Sequence, residues 1–337
     1  MRSLISVLLL CLGVSATVHS TPGYAEVSKI ATGYQYGLTY LPLMVMQEQK
    51  LVETKAKAAD INLATEWRVL SGPAAINDAI LSGSLQFGAV GTSSLVTLWA
   101  KTRKNLGVRA VGALSSMPIY LNTNNPSVKS IRDFTSKDRI ALPSVKVGVQ
   151  AVVLQMAAAQ AFGDKDFAKL DPMTVGLGHP EALVAILSGR SEITAHFTSA
   201  PFAQIELEKG QGKIHTVLKS NDVLGGPLTF TAVVASSKFY SANPKVYGLY
   251  VDAFSEASNW INHNKEAAAA LYLKVTGSKE PLPFITKLLQ DPDNAFDLTP
   301  RKLAAFAEFM YRVGTIKEKA DSWKDITHPN LHNLSGS

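Results

Sequence analysis

From Lys29 onward, short runs rich in β-branched and apolar residues alternate with longer stretches whose apolar positions recur at helical spacing. "KIATGY" precedes "YLPLMVMQEQKLV", "EWRVL" precedes "PAAINDAIL", "FGAV" precedes "SSLVTLWAKT", and "VRAVGAL" closes the series. The short runs read as strands and the long ones as helices. Such alternation predicts βαβ units on a mainly parallel sheet. After "SMPIYLNTNN" the rhythm restarts, with strands at "DRIALP", "PMTVG", "SEITAHF" and "KIHTVLK". Between them lie helices at "KVGVQAVVLQMAAAQAF", "HPEALVAIL" and "SAPFAQIELEKG". A Thr- and Val-rich strand, "PLTFTAVVAS", follows, and from Asn243 the pattern is almost wholly helical, with Pro244, Pro281 and Pro300 near helix starts.

The two halves also echo each other in sequence. "AILSGSLQFGAVGTSS" (Ala79 to Ser94) returns 106 positions later as "AILSGRSEITAHFTSA" (Ala185 to Ala200). In both, a helix closes on Ser-Gly, with Gly83 or Gly189 as the stop, and a short strand follows. Thr92-Ser93 and Thr198-Ser199 are each expected to open the next helix. That places a hydroxyl pair at the carboxyl end of a strand and the amino end of a helix, where open α/β sheets bind ligands. Two related lobes facing one another across a cleft are the expected architecture.

Length and composition fit this picture. At 337 residues the chain exceeds one typical core, and 46% hydrophobic with 18% charged residues describes a folded protein. At the amino end, Arg2 precedes an apolar run from Leu4 to Val14, too short to span a bilayer, and Gly23-Tyr24-Ala25 puts small residues at the minus-three and minus-one positions. This predicts a secretory signal cleaved after Ala25 and a periplasmic destination. The sole cysteine, Cys11, leaves with that segment and has Leu10 before it, which does not suit lipoprotein processing. The mature chain therefore has no disulfide, thiolate metal site or cysteine nucleophile. An excess of five positive charges remains, scattered along the chain, with "KTRK" (Lys101 to Lys104) the densest cluster and no aromatic residues interleaved. No nucleic-acid stripe is expected, although a mild positive field suits an anionic small molecule.

Enzyme motifs are missing: there is no G-x-S-x-G elbow, H-E-x-x-H, P-loop or strand-following G-x-G-x-x-G. "TVGLGHPEA" lacks a third glycine in place, and His328 and His332, four apart, fall in a Pro/Asn-rich tail rather than a helical pattern, so no metal site is expected. What recurs instead is a polar or glycine-bearing turn after each predicted strand. In the first half these turns offer Tyr34, Gln35, Tyr36 and Tyr40, then Ser71 and Gly72, then Gly91, Thr92 and Ser93, then Ser115 beside Ser116. In the second half they offer Lys146 and Gln150, then His179, then His196, Phe197 and Ser199; Thr229 stands at the start of the Thr- and Val-rich strand. Hydroxyls, backbone N–H groups and aromatic walls of this kind furnish a small-molecule pocket. Lys146 is a candidate anchor for an anionic head group, and His196 a candidate polar contact at a strand end.

Three stretches resemble a known family. "GYQYGLTYLPLMVMQEQKLVE" resembles the first βα unit of periplasmic substrate-binding proteins of ABC transporters in the nitrate/sulfonate/taurine branch. "AILSGSLQFGAVGTSSLV" is similar to that family's second hallmark, and "NPKVYGLYVDAFSEASNWINHNKEAAA" to its late helix; the likeness runs from about Val27 to Thr327. The resemblance implies an α/β type II periplasmic-binding-protein fold, with two α/β lobes joined by two crossover strands and a helical C-terminal region. Residues 26–118 would begin lobe 1, 119–232 form lobe 2 and 233–337 complete lobe 1, with crossings near Met117 to Asn122 and Leu228 to Ala235. It further implies a monomer without cofactor or catalysis. Such a chain captures a small anionic or polar solute of the sulfonate, taurine, nitrate or aromatic carboxylate type and delivers it to a permease and its ATPase. Two alternatives share the fold: an enzyme related to thiamin-pyrimidine synthesis, which the lack of a cysteine-rich iron motif disfavours, and a periplasmic sensor co-receptor.

Overall fold

The computed structural model describes residues 26–70 and 72–337. The expected signal segment, its cleavage site, Cys11 and the candidate residue Ser71 lie outside the described residues.

The first half contains β1 (Lys29–Tyr34), α1 (Leu41–Glu48), α2 (Leu51–Ala58), β2 (Ala64–Val69), α3 (Pro73–Leu81), β3 (Phe87–Gly91), α4 (Thr92–Thr102) and β4 (Val108–Ser116). The single helix expected over "YLPLMVMQEQKLV" is two, because Lys50 adopts a left-handed conformation (φ 51°) that ends one helical run and turns the chain into the next. The second half contains β5 (Ile119–Thr123), β6 (Ile140–Leu142), α5 (Val149–Phe162), β7 (Thr174–Gly176), α6 (His179–Ser188), β8 (Ala195–Ser199), α7 (Phe202–Lys209), β9 (His215–Lys219) and α8 (Ser220–Leu224). The chain then forms β10 (Thr229–Ser236), α9 (Ser237–Ala242), α10 (Pro244–His263), α11 (Lys265–Thr276), α12 (Leu282–Gln290) and α13 (Leu303–Arg312).

Two five-stranded sheets result, ordered β2-β1-β3-β10-β4 and β7-β6-β8-β5-β9. They are built on one plan. In the first, β1 runs parallel to β2 and β3 while β10 is antiparallel to β3 and β4; in the second, β6 runs parallel to β7 and β8 while β5 is antiparallel to β8 and β9. The antiparallel strand of each sheet is the one whose chain has just arrived from the other lobe, and so enters from the opposite end. The outward crossing takes only Met117 and Pro118, between β4 and β5. The return runs from α8 to β10 through Gly225 (φ 65°) and Gly226 (φ 138°), a turn that only glycine adopts without strain.

The repeated Ala-Ile-Leu-Ser-Gly segments end α3 and α6, and both Gly83 and Gly189 take left-handed φ values, 78° and 60°. The strands that follow, β3 and β8, hold matching central places in their sheets. The helices after them differ. Thr92 opens α4 as expected, but Thr198-Ser199 ends β8, and α7 begins only at Phe202. Pro201 explains the delay, since the residue before a proline is kept out of helical conformation.

Packing locks the first sheet to its helices. Phe87 of β3 stacks on Tyr250 of α10 with ring centroids 3.6 Å apart and planes within 2°. Gly88 lies so close to α3 that a Cβ there would sit 2.9 Å from Ile76, which explains a glycine mid-strand. Among the described residues no helix is long and apolar enough to cross a membrane, and no group of three or more His, Cys, Asp or Glu residues is arranged to hold a metal ion.

Candidate functional site

The two lobes meet where helices begin. Gly91, ending β3, faces Val149, the first residue of α5, and a Cβ on the glycine would lie 3.3 Å from the valine side chain. Two residues on, the Ser93 hydroxyl donates to the Val147 carbonyl of the other lobe at 2.8 Å. The 144–148 loop is held in a tight turn: Gly148 N–H donates to the Ser144 carbonyl at 3.2 Å, and a Cβ at Gly148 would come within 2.7 Å of that oxygen. The amino ends of α4 and α5 thus converge on one seam, and neither carries an acidic residue in its first turn. Unpaired N–H groups there favour a negative or strongly polar group.

On the lobe 1 side, Thr39, Ser115 and Thr231 form a buried cluster in which the Thr39 hydroxyl contacts Ser115 and lies 2.6 Å from Thr231, itself 3.1 Å from Ser115. The three hydroxyls satisfy one another. The Thr92 hydroxyl donates to the Thr229 carbonyl, and the Thr229 hydroxyl accepts from Arg301 N–H at 2.8 Å. These candidates therefore tie β10 to α4 and to the segment before α13.

The aromatic candidates separate. Tyr34 and Tyr40 are buried, with ring centroids 6.3 Å apart and the Tyr34 hydroxyl donating to Gln47 at 2.9 Å. Phe197 is fully buried in the core, on the side of β8 opposite His196. Tyr36 is 62% exposed in the turn after β1, with Gln35 half-buried beside it. Lys146 is exposed in the seam loop with a left-handed backbone (φ 64°), Gly72 is half-buried at the start of α3, and Ser199 is buried at the end of β8.

The most organised polar structure lies behind the seam in lobe 2. Gln150 Nε2, in the first turn of α5, is 3.5 Å from Nε2 of His179, the first residue of α6. His179 Nδ1 lies 2.8 Å from His196 Nε2, and His196 Nδ1 contacts Glu206 Oε1. Glu206 Oε2 accepts from Asn122 Nδ2 at 2.9 Å, and the Thr216 hydroxyl donates to Asn122 Oδ1 at 2.8 Å. Thr198 flanks the row, its hydroxyl 3.3 Å from His179 Nδ1, and the His179 ring stacks on Phe202.

His196 and Glu206 are both 0% exposed. Their contact has the geometry of an ion pair, but burial penalises both charges and no third charged group compensates. Desolvation pushes Glu206 up to about 8, partly offset by the Asn122 hydrogen bond, and lowers His196 to about 3. His179 is lowered as well, by burial first and by His196 second. Near neutral pH the pair is therefore a carboxylic acid and a neutral imidazole. Sequence reasoning placed His196 at a strand end; the structure buries it there, between His179 and Glu206. Glu206 and Asn122 were not singled out. The one available signal was a glutamate on the inward face of "FAQIELEK", between Ala203, Ile205 and Gly210, at a helix position a surface acid would not occupy.

Structural comparison places this arrangement among known folds. The aliphatic sulphonate-binding protein SsuA from Escherichia coli superposes with a TM-score of 0.68 at 20% identity, covering 93% of this chain and 95% of that one. The alkanesulfonate-binding SsuA from Xanthomonas axonopodis pv. citri, bound to MOPS, gives 0.68 at 16% identity over 87% of this chain and 96% of that one. The nitrate-binding protein NrtA from Synechocystis PCC 6803 gives 0.69 at 15% identity over 91% and 87%. At such identities the likeness establishes the periplasmic-binding fold. No curated protein matches by sequence. Residues 23–275, most of the chain, match the model of the NMT1-like family, and the chain belongs to that family.

Proposed function

We propose that this protein is the solute-binding component of an ABC importer, capturing a small anionic solute between its lobes without chemical conversion. The observation that carries this reading is the seam itself: two lobes of one topology, joined by two crossings, bring the amino ends of α4 and α5 together with a donor-rich row behind them. Each helix amino end contributes about 0.3–1 kcal/mol toward an anion, and hydroxyls and N–H groups supply direction. The sulfonate- and nitrate-binding proteins of the same fold support a sulfonate, nitrate or comparable oxyanion as the solute class. On this reading the protein is exported, works as a monomer in the periplasm, and delivers its solute to a membrane permease driven by an ATPase.

A thermal-shift panel of methanesulfonate, taurine, MOPS, nitrate and benzoate tests the proposal. A true solute at 100 times its dissociation constant adds about 2.7 kcal/mol to the folded state and raises the melting temperature measurably. Stabilisation by at least one oxyanion is the expected result. No shift with any of them up to millimolar concentration would overturn the assignment to anionic solutes.

A further inference from the structure

We propose that Gly91 is the contact on which the two lobes shut: its missing side chain admits Val149 of the opposite lobe, and a side chain placed there holds the seam ajar and weakens capture of the solute. The inference rests on the solute-binding reading above and deepens it, because it names the residue pair that limits closure.

A glycine at the end of β3 needs a reason, and its backbone does not supply one. Gly91 has φ −68° and ψ 155°, an extended conformation open to every L-residue. Gly148, which precedes α5 as Gly91 precedes α4, has nearly the same angles, φ −68° and ψ 161°. The two glycines differ in what surrounds them. A Cβ on Gly148 would strike its own loop, 2.7 Å from the Ser144 carbonyl oxygen and 3.0 Å from the Ser144 Cβ. A Cβ on Gly91 would have the Phe230 carbonyl oxygen of its own sheet at 3.8 Å, an ordinary contact. Its tight neighbours are Val149 Cγ2 at 3.3 Å and Val149 Cβ at 3.4 Å, both across the seam. Gly148 therefore serves a loop, and Gly91 serves the meeting of two lobes.

That meeting is closely packed. Val149 is 3% exposed, and Ser93 is 0% exposed. The pairs Gly91–Val149 and Ser93–Val147 make two rungs, one apolar and one polar, between residues 91–93 of one lobe and 147–149 of the other. A methyl group at Gly91 would push Val149 by a few tenths of an ångström, and a branched side chain would push it further. Because both rungs join the same two segments, the 2.8 Å hydrogen bond stretches with the apolar contact.

Neither side has room to retreat. β3 lies between β1 and β10 in the middle of its sheet, and Val149 to Ala158 of α5 are all buried. The displacement therefore passes to the two crossings, the joint about which such lobes move. Held apart, the amino ends of α4 and α5 no longer converge on one solute, and the attraction of each falls off within a helical turn.

Two measurements on the chain beginning at residue 26, which has no cysteine, decide the proposal. In the first, Asp164→Cys and Arg312→Cys replace a pair that meets across the lobes with both side chains about half exposed, and a short bismaleimide joins them in the absence of solute. Cross-linking then samples spontaneous closure. Gly91→Val should slow it about ten-fold and Gly91→Ala less, while Val149→Ala added to Gly91→Val should restore the rate to within about three-fold. In the second, calorimetric titration with methanesulfonate should rank the affinities in the same order. A Gly91→Val rate equal to that of the parent chain overturns the proposal. So does a lowered rate that Val149→Ala fails to restore, since that marks damage within lobe 1. If Gly91→Val does not fold, Gly91→Ala with and without Val149→Ala decides by the same criteria. Cross-linking needs no anion, so it judges the contact even if methanesulfonate fails to bind, which separates failure here from failure of the transport reading. Slowed and rescued cross-linking with unchanged methanesulfonate affinity overturns the role of Gly91 in capture.

Discussion

Buried titratable side chains give this protein an expected stability profile. Glu206 keeps its proton in the folded state up to about pH 8 but releases it near 4.5 when exposed, so between those values the folded state holds the extra proton and stability falls as pH rises. His196 and His328 act oppositely. Burial keeps them neutral down to about 3 and about 4, against an ordinary 6.5, so the folded state binds fewer protons and stability rises with pH up to that value. Below 6.5 the two effects oppose each other, and above it Glu206 acts alone. Urea midpoints should therefore peak near pH 6.5 and decline toward pH 8, and Glu206→Gln should abolish the decline. A wild-type midpoint that stays level from 6.5 to 8 would contradict a protonated Glu206. His196 lies 10 positions from Glu206 and 17 from His179, which is why spacing rules for helical ligand pairs passed over that cluster.

Elements were the most legible scale, and their ends the least. The strand "KIATGY" and the helix "PAAINDAIL" coincide with β1 and α3, because alternation and a proline at the helix start are local signals. The amino end of α10 was readable from "NPKV", but its cap was not. Asn243 makes no side-chain cap of its own; its Oδ1 accepts from Val27 N–H at 2.9 Å. The Glu26 carboxylate, 219 and 220 positions away, accepts from Lys245 and Val246 N–H, both at 2.9 Å. A carboxylate at a helix amino end satisfies free donors and meets the positive end of the dipole. Glu26→Ala should cost about 0.5–2 kcal/mol in urea denaturation of the chain beginning at residue 26. An unchanged midpoint would mean that water serves those donors equally well.

At the scale of the whole molecule, few polar ties hold the lobes together. Besides Ser93 to Val147, the pairs Lys209–Glu280 and Arg312–Asp164 reach across; Lys209, Arg312 and Asp164 are about half exposed, and Glu280 is mostly covered. Exposed ion pairs contribute about 0–1 kcal/mol each, so these bonds bias closure weakly and leave a solute in the seam to drive it. Small-angle scattering should accordingly show a smaller radius of gyration when a confirmed solute is added. Superimposable free and bound profiles would remove hinge closure from the mechanism.

The sequence by itself determined which segments are strands and helices, that the plan is duplicated, and that Cys11 is the sole cysteine. These follow from periodicity, turn residues and composition, which act over a few positions. The tertiary structure decided that the crossing strands run antiparallel, that Phe197 and Tyr34 belong to the core, and that His196 is buried between His179 and Glu206. Those outcomes depend on which face of a strand meets which helix, and on contacts between residues far apart in the chain. A one-residue shift in register would exchange His196 for Phe197 without altering any local pattern.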